Sequence, residues 1–555
     1  MLSRTPIDGL ARALLWTGLV APSLLALWPF SDGERVWQSL TWSAAASAFV
    51  AVVPGRWFRL AQWTSLALFP SVLWWIGFAA INRIGPGWQA ATAALSTGLR
   101  EIAEALELLR FNIGFWGCGL VCLMCVVASL FLSSLARRVN LSAGRATRPG
   151  GCPKNTLNVI RLAATMPFAL TALASIEYIR LPMLFLPSDA SYSFLGTAVR
   201  LGFEGLDRVL FDAPSTSTKR RTASPMLAYG PTPALALFVI GESIRAGALG
   251  PNVAWAGPSS QELIRRIESG LGSWLPATCA AANGTHMAVP MLLTGVAPDE
   301  YRQAANSPSV LAALRASGFI TAWLSNQDTT VFNESGHDYY WTVGDTAALS
   351  GGYDEALIPV ARSFVAPLWR QVSAVKAPRA AVIHTMGSHF EYANRYPPSL
   401  YPAEPEKLSL EALASLRYGR AVDYSAKVML LFANILDEIS EPAYLVFSGD
   451  HGENLPMDRN GLIAHLGARA SIHDGTTTSL VLWNRAMRDS NRPQRAIAAL
   501  EAAPLISHAD ITRLFLALAG FGEIPVQPVS NPRILAPVDA DAGRSTTNPC
   551  AALRP

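Results

Sequence analysis

The stretch AYLVFSGDHGEN, residues 443–454, decides how the rest of this 555-residue chain is read. Its first half is a continuous apolar run of strand length. Its second half breaks at glycine into Asp450 and His451. A strand that is apolar at consecutive positions is covered on both faces, as in a parallel sheet between helices. The same pattern recurs at ALALFVIG (234–241), FITAWLS (319–325), AAVIHTMG (380–387) and TSLVLW (478–483), with helical patterns between. This alternation predicts an α/β domain over 232–530, built on a mostly parallel sheet packed between helices.

Upstream the composition changes. The chain is 51% apolar and only 15% charged, whereas soluble domains carry about 25% charge. Ten of the sixteen tryptophans precede residue 117, and all eight histidines follow residue 284. Five apolar runs, at about 13–30, 37–54, 60–81, 113–136 and 162–185, approach the ~20 residues a helix needs to cross a bilayer. They predict a five-helix transmembrane domain over 1–185. The first run lacks a small-residue cleavage site and further runs follow it, so it reads as an uncleaved span rather than a signal peptide.

Arginine placement orients these spans. With the N-terminus in the cytoplasm, the inner segments hold Arg4, Arg12, Arg56, Arg59, Arg137 and Arg138, among others. The outer segments hold only Arg35, Arg83, Arg100 and Arg110. An odd number of spans then puts the α/β domain outside the membrane. LREIAEALELLR, 99–110, reads as an amphipathic helix on the outer surface or as a solvated connector. Residues 186–231 read as a linker or bridging segment. Residues 531–555, rich in Pro, Ala and Asp, read as a loose tail.

A net charge of +4 is too small to argue for nucleic acid as partner. Cys118, Cys122 and Cys125 lie in an apolar run, and Cys152 lies in a basic loop. Only Cys279 and Cys550 are placed for an oxidising compartment, so at most one disulfide is available there.

Open parallel sheets bind ligands at the carboxyl ends of their strands. Here those ends carry Glu242 (ALALFVIGES), Asp450 and His451, and His384 with His389 (AAVIHTMGSH). GLIAHLG adds His465, and SNQD adds Asn326. Carboxylates and imidazoles at adjoining strand ends suit a hard metal ion. Each also has a plain structural reading. Glu242 could cap a following helix, Asp450–His451 could form a turn with a surface His, and a lone His389 or His465 could be structural. Thr285, in AAANGTHMAVPMLLTG (280–295), reads by itself as a helix N-cap. A hydroxyl at a helix start is also where backbone N–H groups and the dipole favour a phosphate. Thr278 and Thr294 compete for such a role.

In order, the five spans, the GES strand end, T-x-x-x-x-P, H-x-M-G-S-H and S-G-D-H-G-E-N resemble the phosphoethanolamine transferases. These lipopolysaccharide-modifying enzymes belong to the alkaline phosphatase/sulfatase superfamily. The resemblance covers about residues 10–525. It implies Thr285 as the nucleophile that becomes phosphoethanolamine-modified, with Glu242, Thr285, Asp450 and His451 as zinc ligands. It implies that His389 and His465 stand around the donor or acceptor phosphate, one of them as general acid or base. Asn326 resembles a position near the substrate, and His384 matches the motif without an assigned role.

The implied donor is phosphatidylethanolamine, and the implied acceptor is a glycolipid or glycan of the envelope. The enzyme is expected to be a monomer of the bacterial inner membrane with a periplasmic catalytic domain. Lipid A-modifying members commonly carry cysteines flanking the nucleophile, whereas Ala281 and Met291 stand here. That leans towards core sugars, periplasmic glucans or other glycans as acceptor. A glycerol-phosphate transferase using phosphatidylglycerol is the runner-up. A sulfatase-like hydrolase lacks its C/S-x-P-x-R motif, and a non-catalytic scaffold would not need Glu242, Thr285, Asp450 and His451 together.

Overall fold

The computed structural model describes residues 113–142 and, with short interruptions, 223–535, together with Cys550 and a few single residues before 113. The chain divides into two compact units, one holding residues 113–142 and the other 215–555. In the first, helix α1 (Ile113–Ser142) covers the fourth apolar run. By the described residues alone, no helix is long and apolar enough to cross a membrane. The other four runs, the 99–110 segment and most of the 186–231 segment lie outside the described residues. The last part of that segment docks on the α/β unit. Met226 N–H donates to Ser317 Oγ at 3.0 Å, and Tyr229 N–H to the Gly520 carbonyl at 2.7 Å.

The second unit is an α/β layered fold. Its main sheet has seven strands in the order β2-β9-β7-β1-β6-β4-β5. These are β1 (Leu235–Gly241), β2 (Gly272–Trp274), β4 (Ile320–Ser325), β5 (Tyr339–Thr342), β6 (Arg379–His384), β7 (Ala443–Gly449) and β9 (Ser479–Trp483). Five strands, β7-β1-β6-β4-β5, run parallel. The sheet is mixed, because β9 runs antiparallel to β7 and β2 antiparallel to β9. The apolar content of TSLVLW reported burial of that strand but not its direction. A second sheet of three short strands, β10-β3-β8, comprises β3 (Thr278–Cys279), β8 (Thr476–Thr477) and β10 (Ile506–Ser507).

Strand β1 shows why its sequence is apolar throughout. Leu235, Leu237 and Val239 enter one core and Ala236, Phe238 and Ile240 the other, all of them buried. Successive side chains alternate faces, so a central strand covered twice needs no polar position. The first core holds residues of helices α2 (Pro258–Arg266), α5 (Leu357–Trp369) and α6 (Leu410–Asp437). The second holds residues of α3 (Thr285–Thr294), α4 (Val310–Ala316), α7 (Arg492–Glu501) and α8 (His508–Leu518).

The segment beyond residue 530 is not a loose tail where it is described. Ile534, Leu535 and Cys550 are buried, and Cys550 forms a disulfide with Cys279 at a Cα–Cα distance of 5.9 Å. Proline and alanine content suggested looseness. The buried Ile-Leu pair and the distant cysteine outweigh it.

Candidate active site at the strand ends

Glu242, Thr285, Asp450 and His451 converge where β1 and β7 end. The two strands run in register, with Gly241 beside Gly449, so the next residues, Glu242 and Asp450, are neighbours. Thr285 is the first residue of α3, with Gly284 in the cap position and no side-chain capping bond. The N-cap reading of Thr285 is therefore corrected by one residue. Its Oγ1 donates instead towards Glu242, 3.2 Å from Oε1 and 3.1 Å from Oε2, and lies 3.2 Å from His451 Nε2. The competing threonines point elsewhere: Thr278 Oγ1 donates to Ser479 Oγ at 2.8 Å and Thr294 Oγ1 to the Pro290 carbonyl at 2.7 Å.

Glu242 does not cap a helix. Besides Thr285 it accepts from Ser243 Oγ at 3.0 Å and from Gln327 Nε2 at 2.7 Å. Ser243 sits in the left-handed region at φ 57, which is costly for a residue with a side chain. Two bonds hold it there: its N–H donates to Asp450 Oδ1 at 3.1 Å, and its carbonyl accepts from Tyr418 OH at 2.9 Å. Gly387 approaches from the end of β6. A Cβ there would stand 2.6 Å from the Glu242 nitrogen and 2.7 Å from its oxygen, so the glycine of H-x-M-G-S-H is a close-approach glycine.

Asp450 and His451 are fully buried, against the surface-His alternative. His451 Nδ1–H donates to the Gly452 carbonyl at 2.7 Å, so Nε2 is the atom that faces Glu242 Oε1 at 3.2 Å and Asp450 Oδ2 at 3.4 Å. Asp450 Oδ2 accepts no hydrogen bond. Burial and the Glu242 charge push the Asp450 carboxyl up to about 7. Burial opposes charge on His451, but Asp450 and Glu242 outweigh it and raise the imidazole to about 10. Burial likewise opposes the Glu242 charge, and the bond and charge of His451 outweigh it, holding that carboxyl below the ordinary range.

Two buried carboxylates facing one imidazole nitrogen and a hydroxyl retain a proton unless a cation replaces it. The ligand atoms of Glu242, Asp450 and His451 all lie within 4.8 Å of one another. An oxygen-and-nitrogen set with an orphaned carboxylate oxygen, its His fixed through a backbone carbonyl, fits a zinc-type divalent ion.

His465 and His389 flank this cluster, their rings centred 4.2 Å (His465–His451) and 5.4 Å (His465–His389) apart. His465 Nδ1 faces Glu453 Oε2 at 2.8 Å, and Glu453 Oε1 accepts from Tyr392 OH at 2.7 Å. Burial, and then the charge on His451, keep His465 below its ordinary pKa. Asn326 is not brought to Thr285. Its amide donates to Asp354 Oδ1 at 2.7 Å and to the Gly352 carbonyl at 3.0 Å. Asp354 in turn accepts from the backbone N–H groups of Met386 and Gly387, at 2.8 and 2.9 Å. Asn326 thus braces the loop that carries His389, while its neighbour Gln327 reaches Glu242. His384 is buried edge-on against Trp323, and burial lowers it to about 4.

Reading from sequence missed Gln327, Asp354, Glu453 and His508. Gln327 and Glu453 were adjacent to flagged residues and would have been found by asking what satisfies a buried Glu or His. His508 carried no local signal. Its Nδ1 accepts from Ala281 N–H and its Nε2–H donates to the Gly449 carbonyl, both at 3.1 Å. It therefore ties the loop before Thr285 to the residue before Asp450.

Residues 234–521, which contain this site, match the sulfatase family profile. The chain belongs to the sulfatase family. Phosphoethanolamine transferase EptC of Escherichia coli is 23% identical over 173 residues, an alignment that spans 28% of this chain and 28% of that protein's length. The structure is similar to that of the integral membrane protein lipooligosaccharide phosphoethanolamine transferase A (EptA) from Neisseria meningitidis. That match covers 92% of this chain and 95% of that one, at 16% identity and a TM-score of 0.61, so the fold is shared. The C-terminal periplasmic domain of E. coli EptC in complex with Zn matches 57% of this chain and 94% of its own, with 19% identity and a TM-score of 0.45.

Proposed function

We propose that this chain transfers phosphoethanolamine from phosphatidylethanolamine to an envelope glycolipid or glycan, through a covalent intermediate on Thr285. The observation that carries the reading is the Thr285 hydroxyl, 3.1 Å from Glu242 Oε2 and 3.2 Å from His451 Nε2 at the start of a helix. Names of the relatives with this fold supply the transferred group, phosphoethanolamine. Glu242, Asp450, His451 and Thr285 would hold zinc, which when bound polarises a phosphoryl oxygen and lowers the pKa of the coordinated hydroxyl.

In the first half-reaction the Thr285 hydroxyl gives up its proton as Oγ1 bonds to phosphorus, the bond to the diacylglycerol oxygen breaks, and that oxygen takes up a proton. In the second, an acceptor oxygen loses its proton as it bonds to phosphorus, and Thr285 Oγ leaves and is reprotonated. His465, with Nδ1 held by Glu453 and its ring centred 4.2 Å from that of His451, would pass protons in both steps, and His389 stands beside it. The dipole of α3 favours the phosphate against Thr285. A lipid donor fits a catalytic domain held on the periplasmic side of the inner membrane by the N-terminal segment. Ala281 and Met291 stand where the resemblance calls for cysteines flanking Thr285, and the nearby Cys279 pairs instead with the distant Cys550, which supports a core-sugar or glycan acceptor over lipid A.

Mass spectrometry of the purified full-length chain after incubation with phosphatidylethanolamine tests this reading. A phosphoethanolamine adduct on Thr285 is expected, along with released diacylglycerol. An adduct elsewhere, a glycerol-phosphate adduct formed from phosphatidylglycerol instead, or free phosphoethanolamine without any adduct would each overturn it.

A further inference from the structure

Residues just beyond 530 hold the Thr285 loop by several contacts. Leu535 lies alongside Ala282 in a parallel bridge. Its N–H donates to the Ala281 carbonyl at 2.8 Å, and its carbonyl accepts from Asn283 N–H at 3.3 Å. Its side chain is buried with Ala281, Ala282, Met287, Ala288 and Met291, on the loop and first turns of α3. The preceding residue, Ile534, points the other way and is buried with Cys279, Leu505 and Cys550. There the Cys279–Cys550 disulfide closes, six residues before Thr285, with both cysteines fully buried. Arg533 adds an ion pair of 2.8 Å to Asp299, just past the end of α3.

The loop itself is poor in anchors of its own. Ala280, Ala281 and Ala282 have no polar side chain and Gly284 has none at all, which leaves Asn283, donating to Asp474 Oδ2 at 3.0 Å, and the Ala281 N–H held by His508. Without outside contacts such a segment samples many conformations. A hydroxyl that must sit within a few tenths of an ångström of attack geometry cannot tolerate that. The contacts from Arg533, Ile534, Leu535 and Cys550 add to these two anchors by main-chain bonding, apolar packing and a covalent link.

We infer that Leu535 and the Cys279–Cys550 disulfide form a strap whose task is to position Thr285 for attack. Leu535 and Cys550 are positioning residues: neither reaches the reacting atoms, and both act through the 279–285 loop. The inference rests on the proposed role of Thr285 as nucleophile and adds the device that orients it.

The test follows adduct formation on Thr285 over time in the full chain with phosphatidylethanolamine, below the melting midpoint of each variant. Wild type must first form the adduct; if it does not, the reading of Thr285 fails, whatever the strap does. Given the wild-type adduct, Cys279→Ala/Cys550→Ala and Leu535→Ala are each expected to slow it about tenfold or more at saturating donor. The donor concentration for half-maximal rate should stay unchanged, and Leu535→Met should restore the rate. Rates within about twofold of wild type in both variants overturn the strap, even if the melting midpoint falls. So does a loss that tracks metal content measured on the same samples.

Discussion

Thr285 Oγ1 stands between the two oxygens of Glu242, at 3.2 and 3.1 Å, although 43 residues separate them in the chain. The contact exists because β1 and α3 meet at the carboxyl edge of the sheet. If the hydroxyl is the attacking group, its removal cannot be compensated by the rest of the cluster. Thr285→Ala should lower turnover by about a thousandfold or more while the protein stays folded. Thr285→Ser keeps the oxygen and loses only a methyl group, and should retain turnover within about a hundredfold. Steady-state release of diacylglycerol, read together with the melting midpoint, decides this. Equal losses in the two variants would show that the oxygen is not what matters.

Much of this site was legible in the sequence because its main donors lie at strand ends, where apolar runs stop abruptly. Glu242 and Asp450-His451 follow β1 and β7 directly, and parallel pairing of those strands makes them neighbours. The direction of β9 was not legible, since burial dictates apolar residues whichever way a strand runs. The bracing residues were not legible either. His508 is separated from Ala281 by 227 residues and bonds only backbone atoms, so no spacing rule could announce it. Leu535 looked like part of a loose tail because its value lies in main-chain bonds, which composition does not report.

The orphaned Asp450 Oδ2 beside His451 Nε2 makes a prediction about metal and protons. Asp450→Asn keeps the shape and removes one negative charge. It should reduce zinc stoichiometry, measured by inductively coupled plasma mass spectrometry, by about tenfold or more. Protons compete with a cation for the same atoms, with Asp450 raised to about 7 and His451 to about 10. Zinc retention against a chelator should therefore weaken as pH falls from 8 to 6. Unchanged zinc in Asp450→Asn would remove Asp450 from the ligand set.

Gly387 tests the close approach of β6 to Glu242. A methyl at this position meets the Glu242 backbone, and φ of +46 adds strain for any other residue. Gly387→Ala should destabilise the domain by roughly 2–4 kcal/mol, from overpacking plus left-handed strain. It should also cut activity, because Glu242 cannot shift without releasing Thr285. Ser388→Ala, one residue on and also buried, keeps the Ser388 N–H bond to the Glu242 carbonyl at 2.8 Å, removes only a hydroxyl that makes no hydrogen bond, and serves as the comparison. A Gly387→Ala protein with wild-type stability would show that the loop yields freely.

His508 makes a prediction about acid sensitivity whose sign follows from burial. Burial holds this imidazole neutral down to about 3 in the folded chain, against an ordinary value near 6.5. Its folded pKa is thus depressed. Above about 6.5 neither state binds the proton and stability is at its full value. As pH falls from there towards 3, only the unfolded state gains the proton, and stability is lost at roughly 1 kcal/mol per pH unit. His384, lowered to about 4 by the same cause, acts in the same direction over a narrower window. Carboxylates with depressed values add a loss of the same sign, so the informative quantity is the difference between variants. His508→Gln removes one such group while leaving a side chain that can both donate to Gly449 and accept from Ala281. Its melting midpoint should therefore fall less steeply between pH 6.5 and 4.5 than that of the wild type. It should start lower at pH 7.5, where the better-fitting imidazole is intact. Parallel slopes for the two proteins would mean that His508 takes up its proton without loss of the fold, and that the tie between Ala281 and Gly449 does not depend on a neutral ring.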